Sequence, residues 1–173
     1  MPGSLIVAGA RTPIGRFNCG LAGFAGAQLG AHAISHALQR AGVSGEQVDH
    51  VIMGQVLQAG QGQITARQAA VGAGIPMNVP AITINKVCLS GLNAIYLADQ
   101  MISSGDADIV VAGGMESMTN APYVLPSGRN GLQMGHGELQ DAMIHDGLWC
   151  AFDDGHVGDG TERDAANASI DRS

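Results

Sequence analysis

The stretch "PAITINKVCLSGLNAIYLADQMISSGDADIVVAGGME", residues 80–116, decides the fold. Its first part, 80–87, and its last part, 107–116, are short apolar runs rich in β-branched residues, so each predicts a buried strand. Between them, residues 90–105 carry apolar side chains spread along a helical period and end on Gly105, which predicts a helix. A strand, a helix and a second strand in this order form a unit of a parallel sheet.

The same alternation extends toward the N-terminus. Apolar runs predict strands over residues 4–10 and 48–57, and helical spacing predicts helices over 25–42 and 65–74. Glycines close both helices, as is common at helix C-termini. We therefore expect an α/β fold with a mostly parallel sheet that is covered by helices on both faces.

The pattern breaks after residue 116. Prolines and glycines interrupt residues 117–173, where 138–152 is the one clear amphipathic piece and "AANASIDRS" (165–173) has the character of a helix start. A long excursion of this kind in a compact domain is usually functional.

Composition and charge exclude several classes of function. The net charge is −7, with eight basic residues scattered along the chain, so nucleic acid is not an expected partner. No apolar run reaches the roughly 18 residues that span a bilayer, and no basic region precedes the first apolar stretch, so we expect a cytoplasmic protein without a membrane segment. Three cysteines without a CxxC spacing suggest neither a disulfide framework nor a zinc site.

Cys88 is the residue of the deciding stretch that could carry chemistry. It follows a predicted strand and precedes a predicted helix, at the edge of the sheet where α/β proteins bind ligands. The positive end of a helix favours a thiolate, and Ser90 and Gly91 would let the backbone turn sharply, as in a nucleophile elbow. The residues alone leave two hypotheses open, because free cysteines are also among the most buried and inert residues.

Four motifs occur in an order and at a spacing that resemble the thiolase family. They are "RTPIGRF" (11–17), "NKVCLSGLNA" (85–94), "GGMESMTNAPY" (113–123) and "DGLWCAFDDGHVG" (146–158). The resemblance runs over nearly the whole chain and implies the N-terminal half of an acetyl-CoA acetyltransferase of that family.

The resemblance also implies roles for two residues. Cys88 matches the cysteine that takes the acyl group from acyl-CoA, and cysteine suits this step because it exchanges one thioester for another. His156 of "HVG" stands where the family has "HMG" and a histidine beside the pantetheine of CoA, although Val157 replaces the methionine. The stretch 131–149 resembles the short-chain biosynthetic type, so acetyl and acetoacetyl groups are the expected substrates.

In the family, two similar βαβαβαββ halves pack into five layers. The resemblance therefore implies that residues 1–116 are the N-terminal half, that 117–173 begin a loop domain, and that the C-terminal half is absent. The family's base, oxyanion donors and second thiol come from "GHPxGxSG", "NxxGG" and "CxGGG", none of which occurs in these 173 residues. We expect a fragment, a truncated product or one part of a split enzyme, inactive by itself.

The implied reaction condenses two acetyl-CoA to acetoacetyl-CoA, or runs the reverse thiolysis. It needs CoA thioesters, no further cofactor and no metal, in an enzyme that is a homotetramer at full length. The alternative is a non-catalytic half-thiolase that binds or assembles with a partner while Cys88 is silent. A related decarboxylating or condensing enzyme of the same superfamily fits "GGMESMTNAPY" less well.

Other candidates are weaker. His32 and His36 share a helix face, but no glutamate follows His32 as a zincin motif requires, so surface or packing roles are expected. The acidic segment 153–159 fails the spacing of a calcium loop. Met115 and Met118 are expected in the core.

Overall fold

Strands and helices alternate through the first two thirds of the chain. The computed structural model describes residues 3–171, which form two compact units that meet at residues 120 and 121. The first unit contains α1 (Gly26–Ala41), β1 (His50–Gly54), α2 (Thr65–Gly72), β2 (Ala81–Ile84), α3 (Ser90–Ser104) and β3 (Val110–Gly114). The predicted alternation of strand and helix from residue 25 to residue 116 is confirmed.

Glycines end the two long helices where the sequence predicts. Gly42 and Gly105 adopt left-handed backbone conformations, with φ of 66° and 82°. In each case the next residue reaches back to the last turn: Val43 N–H donates to Leu38 O, and Asp106 N–H donates to Met101 O. These are Schellman endings, which favour glycine because it carries no Cβ penalty at positive φ.

The three strands form a parallel sheet in the order β2, β1, β3. In the register of this sheet, Val51 of β1 lies opposite Ala81 of β2 on one side and Val111 of β3 on the other. As the central strand, β1 is buried on both faces, which explains its unbroken apolar sequence.

Helices cover both faces of this sheet. On one face Val51 and Met53 belong to a core that includes Ile34 and Leu38 of α1 and three alanines of α2. On the other face α3 packs on β1 and β3 and buries Ala94 and Ala98. The predicted class, a mixed α/β fold with a parallel sheet flanked by helices, is confirmed.

The strand predicted over residues 4–10 is not formed, and that prediction is wrong. Leu5 and Ile6 are each 84 % exposed, and in the described residues neither edge of the sheet pairs with this segment. The segment does contact α1, because Arg40 Nη1 donates a hydrogen bond to Gly9 O at 2.7 Å. An apolar run specifies a strand only when a neighbouring strand supplies its hydrogen bonds, and composition does not reveal that neighbour.

The second unit is built from two pairs of short antiparallel strands, a π-helix and an α-helix. It contains β4 (Tyr123–Val124) paired with β5 (Gln140–Asp141), β6 (Trp149–Cys150) paired with β7 (Gly155–His156), a π-helix (Met143–Leu148) and α4 (Val157–Asn167). The helix start expected at 165–173 is wrong, because α4 begins earlier and ends at Asn167; Arg172 and Ser173 lie outside the described residues. The assignment of this unit to a loop domain stays a prediction.

No helix within residues 3–171 combines the length and the hydropathy that crossing a membrane would require.

Candidate active site

Cys88 lies in the turn between β2 and α3. The strand ends at Ile84, the helix begins at Ser90, and the thiol of Cys88 is exposed to solvent. Because all three strands are parallel, this turn stands at the carboxyl edge of the sheet, where α/β proteins place ligands. The structure therefore supplies the strand, turn and helix that the nucleophile hypothesis requires, and within residues 3–171 Cys88 is exposed.

The turn is held in one shape by short hydrogen bonds. Ser90 Oγ accepts from Lys86 N–H at 2.8 Å and donates to Val87 O at 2.6 Å, and Ser90 is 4 % exposed. Asn85 Oδ1 accepts from Val87 N–H at 2.9 Å. The side chains of Asn85 and Ser90 thus close the turn from its two ends.

Val87 adopts a backbone conformation that is unusual for its type. Its φ is 49°, and a β-branched residue in the left-handed region is a genuine outlier that costs roughly 1–3 kcal/mol. Such strain persists only where the surroundings enforce it, and it concentrates at functional sites. Val87 directly precedes Cys88, so the strain is stored at the proposed nucleophile.

The glycine at position 91 has another role than the one expected from the sequence. Sharp turning is done at Val87, whereas Gly91 lies inside α3 and faces Gly114. A Cβ added at Gly54 would lie 2.6 Å from Ser90, and one at Gly114 would lie 3.3 Å from Gly91 Cα. The glycines thus let the first turn of α3 sit directly against the ends of β1 and β3, which fixes the position of Cys88.

Glu116 is a polar residue of this edge that sequence reasoning missed. It follows β3, and its Oε2 accepts from Val56 N–H at 2.8 Å and from Leu57 N–H at 3.3 Å. Burial raises the pKa of the Glu116 carboxyl, and this outweighs the backbone hydrogen bonds from Val56 and Leu57 that lower it. The available signal was an acidic residue placed two positions after an apolar strand.

His156 lies in the second unit, where it begins α4. Its Nδ1 accepts a hydrogen bond from Gly158 N–H at 3.0 Å, and the residue is half-buried. A ring nitrogen that accepts carries no proton, so the neutral ring keeps its proton on Nε2, which can donate to a ligand. The structure therefore gives His156 a fixed orientation, and within residues 3–171 its Nε2 makes no hydrogen bond; its contact with CoA stays a prediction.

The remaining candidates carry no site. The rings of His32 and His36 pack edge to face with centroids 4.5 Å apart, and within the described residues no three His, Cys, Asp or Glu side chains are grouped to hold a metal. Met115 is buried in the core, as predicted. Cys19 is exposed and Cys150 is half-buried, so both can serve as reference thiols for Cys88.

Similar proteins identify the family. The model of the thiolase N-terminal domain matches residues 4–173. An acetyl-CoA acetyltransferase of Pseudomonas aeruginosa is 55 % identical over 154 residues, covering 89 % of this chain and 39 % of the relative. A second, of Cupriavidus necator, is 54 % identical over 168 residues, covering 97 % and 43 %.

A protein named probable acetyl-CoA acetyltransferase, of Escherichia coli, is 50 % identical over 168 residues, again 97 % of this chain and 43 % of the relative. The chain thus spans about two fifths of the length of the curated relatives it matches. It belongs to the thiolase family, and the matched part is the N-terminal domain of that family.

Proposed function

We propose that this chain is the acyl-accepting part of an acetyl-CoA acetyltransferase, with Cys88 as the nucleophile. The Cys88 thiolate attacks the carbonyl carbon of acetyl-CoA, the bond to the CoA sulfur breaks, and the departing thiolate takes up a proton. The product is an acetyl thioester on Cys88. Because one thioester replaces another, the step is nearly balanced in free energy and runs in both directions.

The observation that carries the proposal is the strained turn at residues 85–90. It exposes the thiol at the carboxyl edge of a parallel sheet, directly before the N-terminus of a 15-residue helix. The positive end of such a helix stabilises a nearby thiolate. The names of the relatives supply the substrate, because acetyl-CoA acetyltransferases transfer acetyl groups from CoA.

In the second half-reaction, the enolate of a second acetyl-CoA attacks the acetyl thioester. A carbon–carbon bond forms, the bond to Cys88 breaks, and acetoacetyl-CoA leaves. This step needs a base for the α-proton and donors for the oxyanion, which we assign to the family motifs that these 173 residues do not contain. We therefore propose that the chain alone accepts an acetyl group but does not turn over.

The other parts of the proposal concern the whole protein. His156 lies beside the pantetheine of CoA and donates from Nε2. The enzyme uses CoA thioesters without a further cofactor or metal, assembles as a homotetramer through the region after residue 116, and works in the cytoplasm.

Competitive alkylation tests the role of Cys88. The chain is treated with limiting iodoacetamide, and the labelled cysteines are mapped by peptide mass spectrometry, with and without prior incubation with acetyl-CoA. We expect Cys88 to react faster than Cys19, and acetyl-CoA to protect Cys88 alone. Equal labelling of the exposed thiols without protection would instead support the non-catalytic binding module.

A further inference from the structure

The three strand ends around Cys88 are joined by one continuous set of hydrogen bonds. Beyond the strands the ladder continues, since Gln55 N–H donates to Ile84 O at 3.0 Å and Met115 N–H donates to Gly54 O at 2.9 Å. Past these bonds, side chains make the hydrogen bonds that connect the strand ends. The connection between the strand ends therefore depends on a few identifiable residues.

Glu116 makes the first link, from the end of β3 to the segment after β1. One carboxylate oxygen accepts from two consecutive backbone N–H groups, those of Val56 and Leu57. A carboxylate that accepts two N–H groups holds that backbone in a single orientation, in the same way as it caps a helix. Glu116 thus fixes the direction in which the carbonyl of Val56 points.

Asn85 makes the second link, from this segment to the turn that carries Cys88. Its Nδ2 donates to Val56 O at 3.4 Å, and its Oδ1 accepts from Val87 N–H at 2.9 Å. The Asn85 amide therefore connects the peptide that Glu116 orients with the residue at positive φ directly before Cys88. Without it, the strained conformation of Val87 loses one of its restraints.

We infer that Glu116 is a positioning residue for Cys88, acting through the Val56 peptide, the Asn85 amide and the backbone of Val87. It does not touch the acyl group. The inference rests on the proposed function only in so far as Cys88 is the acyl acceptor.

The surroundings of Glu116 allow a conservative test. Gln55 Oε1 and Glu116 Oε1 are buried acceptors without a donor among the described residues. A glutamine at position 116 would keep an oxygen that can accept from the N–H groups of Val56 and Leu57. Glu116→Gln should preserve the link that Glu116→Ala removes.

Alkylation kinetics and hydrogen exchange on the 173-residue chain test the inference. In Glu116→Ala we expect the iodoacetamide rate of Cys88 relative to Cys19 to fall about threefold or more, because the thiol leaves the helix N-terminus. Amide exchange over residues 85–89 should become about tenfold faster than in the native chain, with β2 unchanged. Glu116→Gln should restore both readouts, and Glu46→Ala, an exposed glutamate of the same unit, should change neither.

If Glu116→Ala does not fold, the variant Asn85→Ala tests the same link. Asn85 is exposed, and its replacement interrupts the same link with Glu116 in place, so both readouts should change as in Glu116→Ala. Unchanged readouts in Asn85→Ala would overturn the inference. Equal changes at Cys88, Cys19 and β2 in Glu116→Ala would also overturn it, since they indicate a merely structural role.

Alkylation needs no acetyl-CoA, so the two proposals fail separately. If Glu116→Ala slows alkylation but native Cys88 accepts no acetyl group, the proposed function fails and the positioning role stands. In the other case, native Cys88 is acetylated, but the native chain, Glu116→Ala and Asn85→Ala are alkylated at the same rate. The positioning role of Glu116 then fails and the proposed function stands.

Discussion

At the residue level, the shape of the turn that carries Cys88 depends on Val87 and Ser90. Val87 holds a φ of 49°, and the Ser90 hydroxyl bonds to the backbone on both sides of it. The exposure of Cys88 follows from that turn. Substitution of Val87 or Ser90 should therefore change the exposure of Cys88, although Cys88 itself is not replaced.

Val87→Gly should raise the free energy of unfolding by about 1 kcal/mol, because glycine adopts positive φ without strain and this gain exceeds its backbone entropy cost. Chemical denaturation measures the change. The control Val124→Gly, at a residue outside the positive-φ set, should destabilise the chain instead. A loss of stability in Val87→Gly would show that the turn is not strained.

Ser90→Ala should lower the free energy of unfolding by about 1–2 kcal/mol, since it leaves the Lys86 N–H without its acceptor beside a buried residue. Ser103→Ala, at an exposed position of the same helix, should stay within about 0.5 kcal/mol of the native chain. Denaturant titration measures both free energies of unfolding. Equal losses in Ser90→Ala and Ser103→Ala would show that the Ser90 hydroxyl does not stabilise the turn.

At the scale of elements, the close approach of α3 to the sheet is set by glycine. Gly54→Ala would bring a Cβ to 2.6 Å from Ser90, so α3 must shift, at a cost of about 1–3 kcal/mol. Gly23→Ala, where a Cβ meets nothing within 4 Å, should be nearly neutral. A Gly54→Ala chain with native stability and native Cys88 alkylation would contradict the packing described.

Asp49 links the start of β1 to the start of β3, and its effect depends on pH. Its Oδ2 accepts from the N–H groups of Ile109 and Asp108, and these bonds lower the pKa of the Asp49 carboxyl below 3.8. The stabilisation is therefore present above pH 3.8 and lost as the pH falls through the lowered value. Denaturation at several pH values should show Asp49→Asn less stable than the native chain above pH 3.8 and converging on it only in acid.

The elements were predictable where local sequence determines them. Helical spacing and closing glycines located α1, α2 and α3, because a helix bonds to its neighbours along the chain, and apolar runs located β1, β2 and β3, which pair with one another. The segment 4–10 failed because a strand also needs a partner, which no local pattern encodes. The position of Cys88 was predictable as a junction of strand and helix, but the strain at Val87 and the bonds of Glu116 depend on contacts between distant residues.

At the scale of the whole molecule, the chain corresponds to about two fifths of its curated relatives. It holds the proposed acyl acceptor, and the base and oxyanion donors are assigned to motifs outside these 173 residues. We therefore propose that acyl transfer to Cys88 can be observed in this chain separately from condensation.

The most direct measurement is the mass of the Cys88 peptide after the purified chain is incubated with acetyl-CoA and then denatured at mildly acidic pH. We expect one acetyl group on that peptide, removable by hydroxylamine and absent from Cys88→Ser, with no acetoacetyl-CoA released. An unmodified Cys88, or acetyl groups spread equally over Cys19, Cys88 and Cys150, would contradict this expectation.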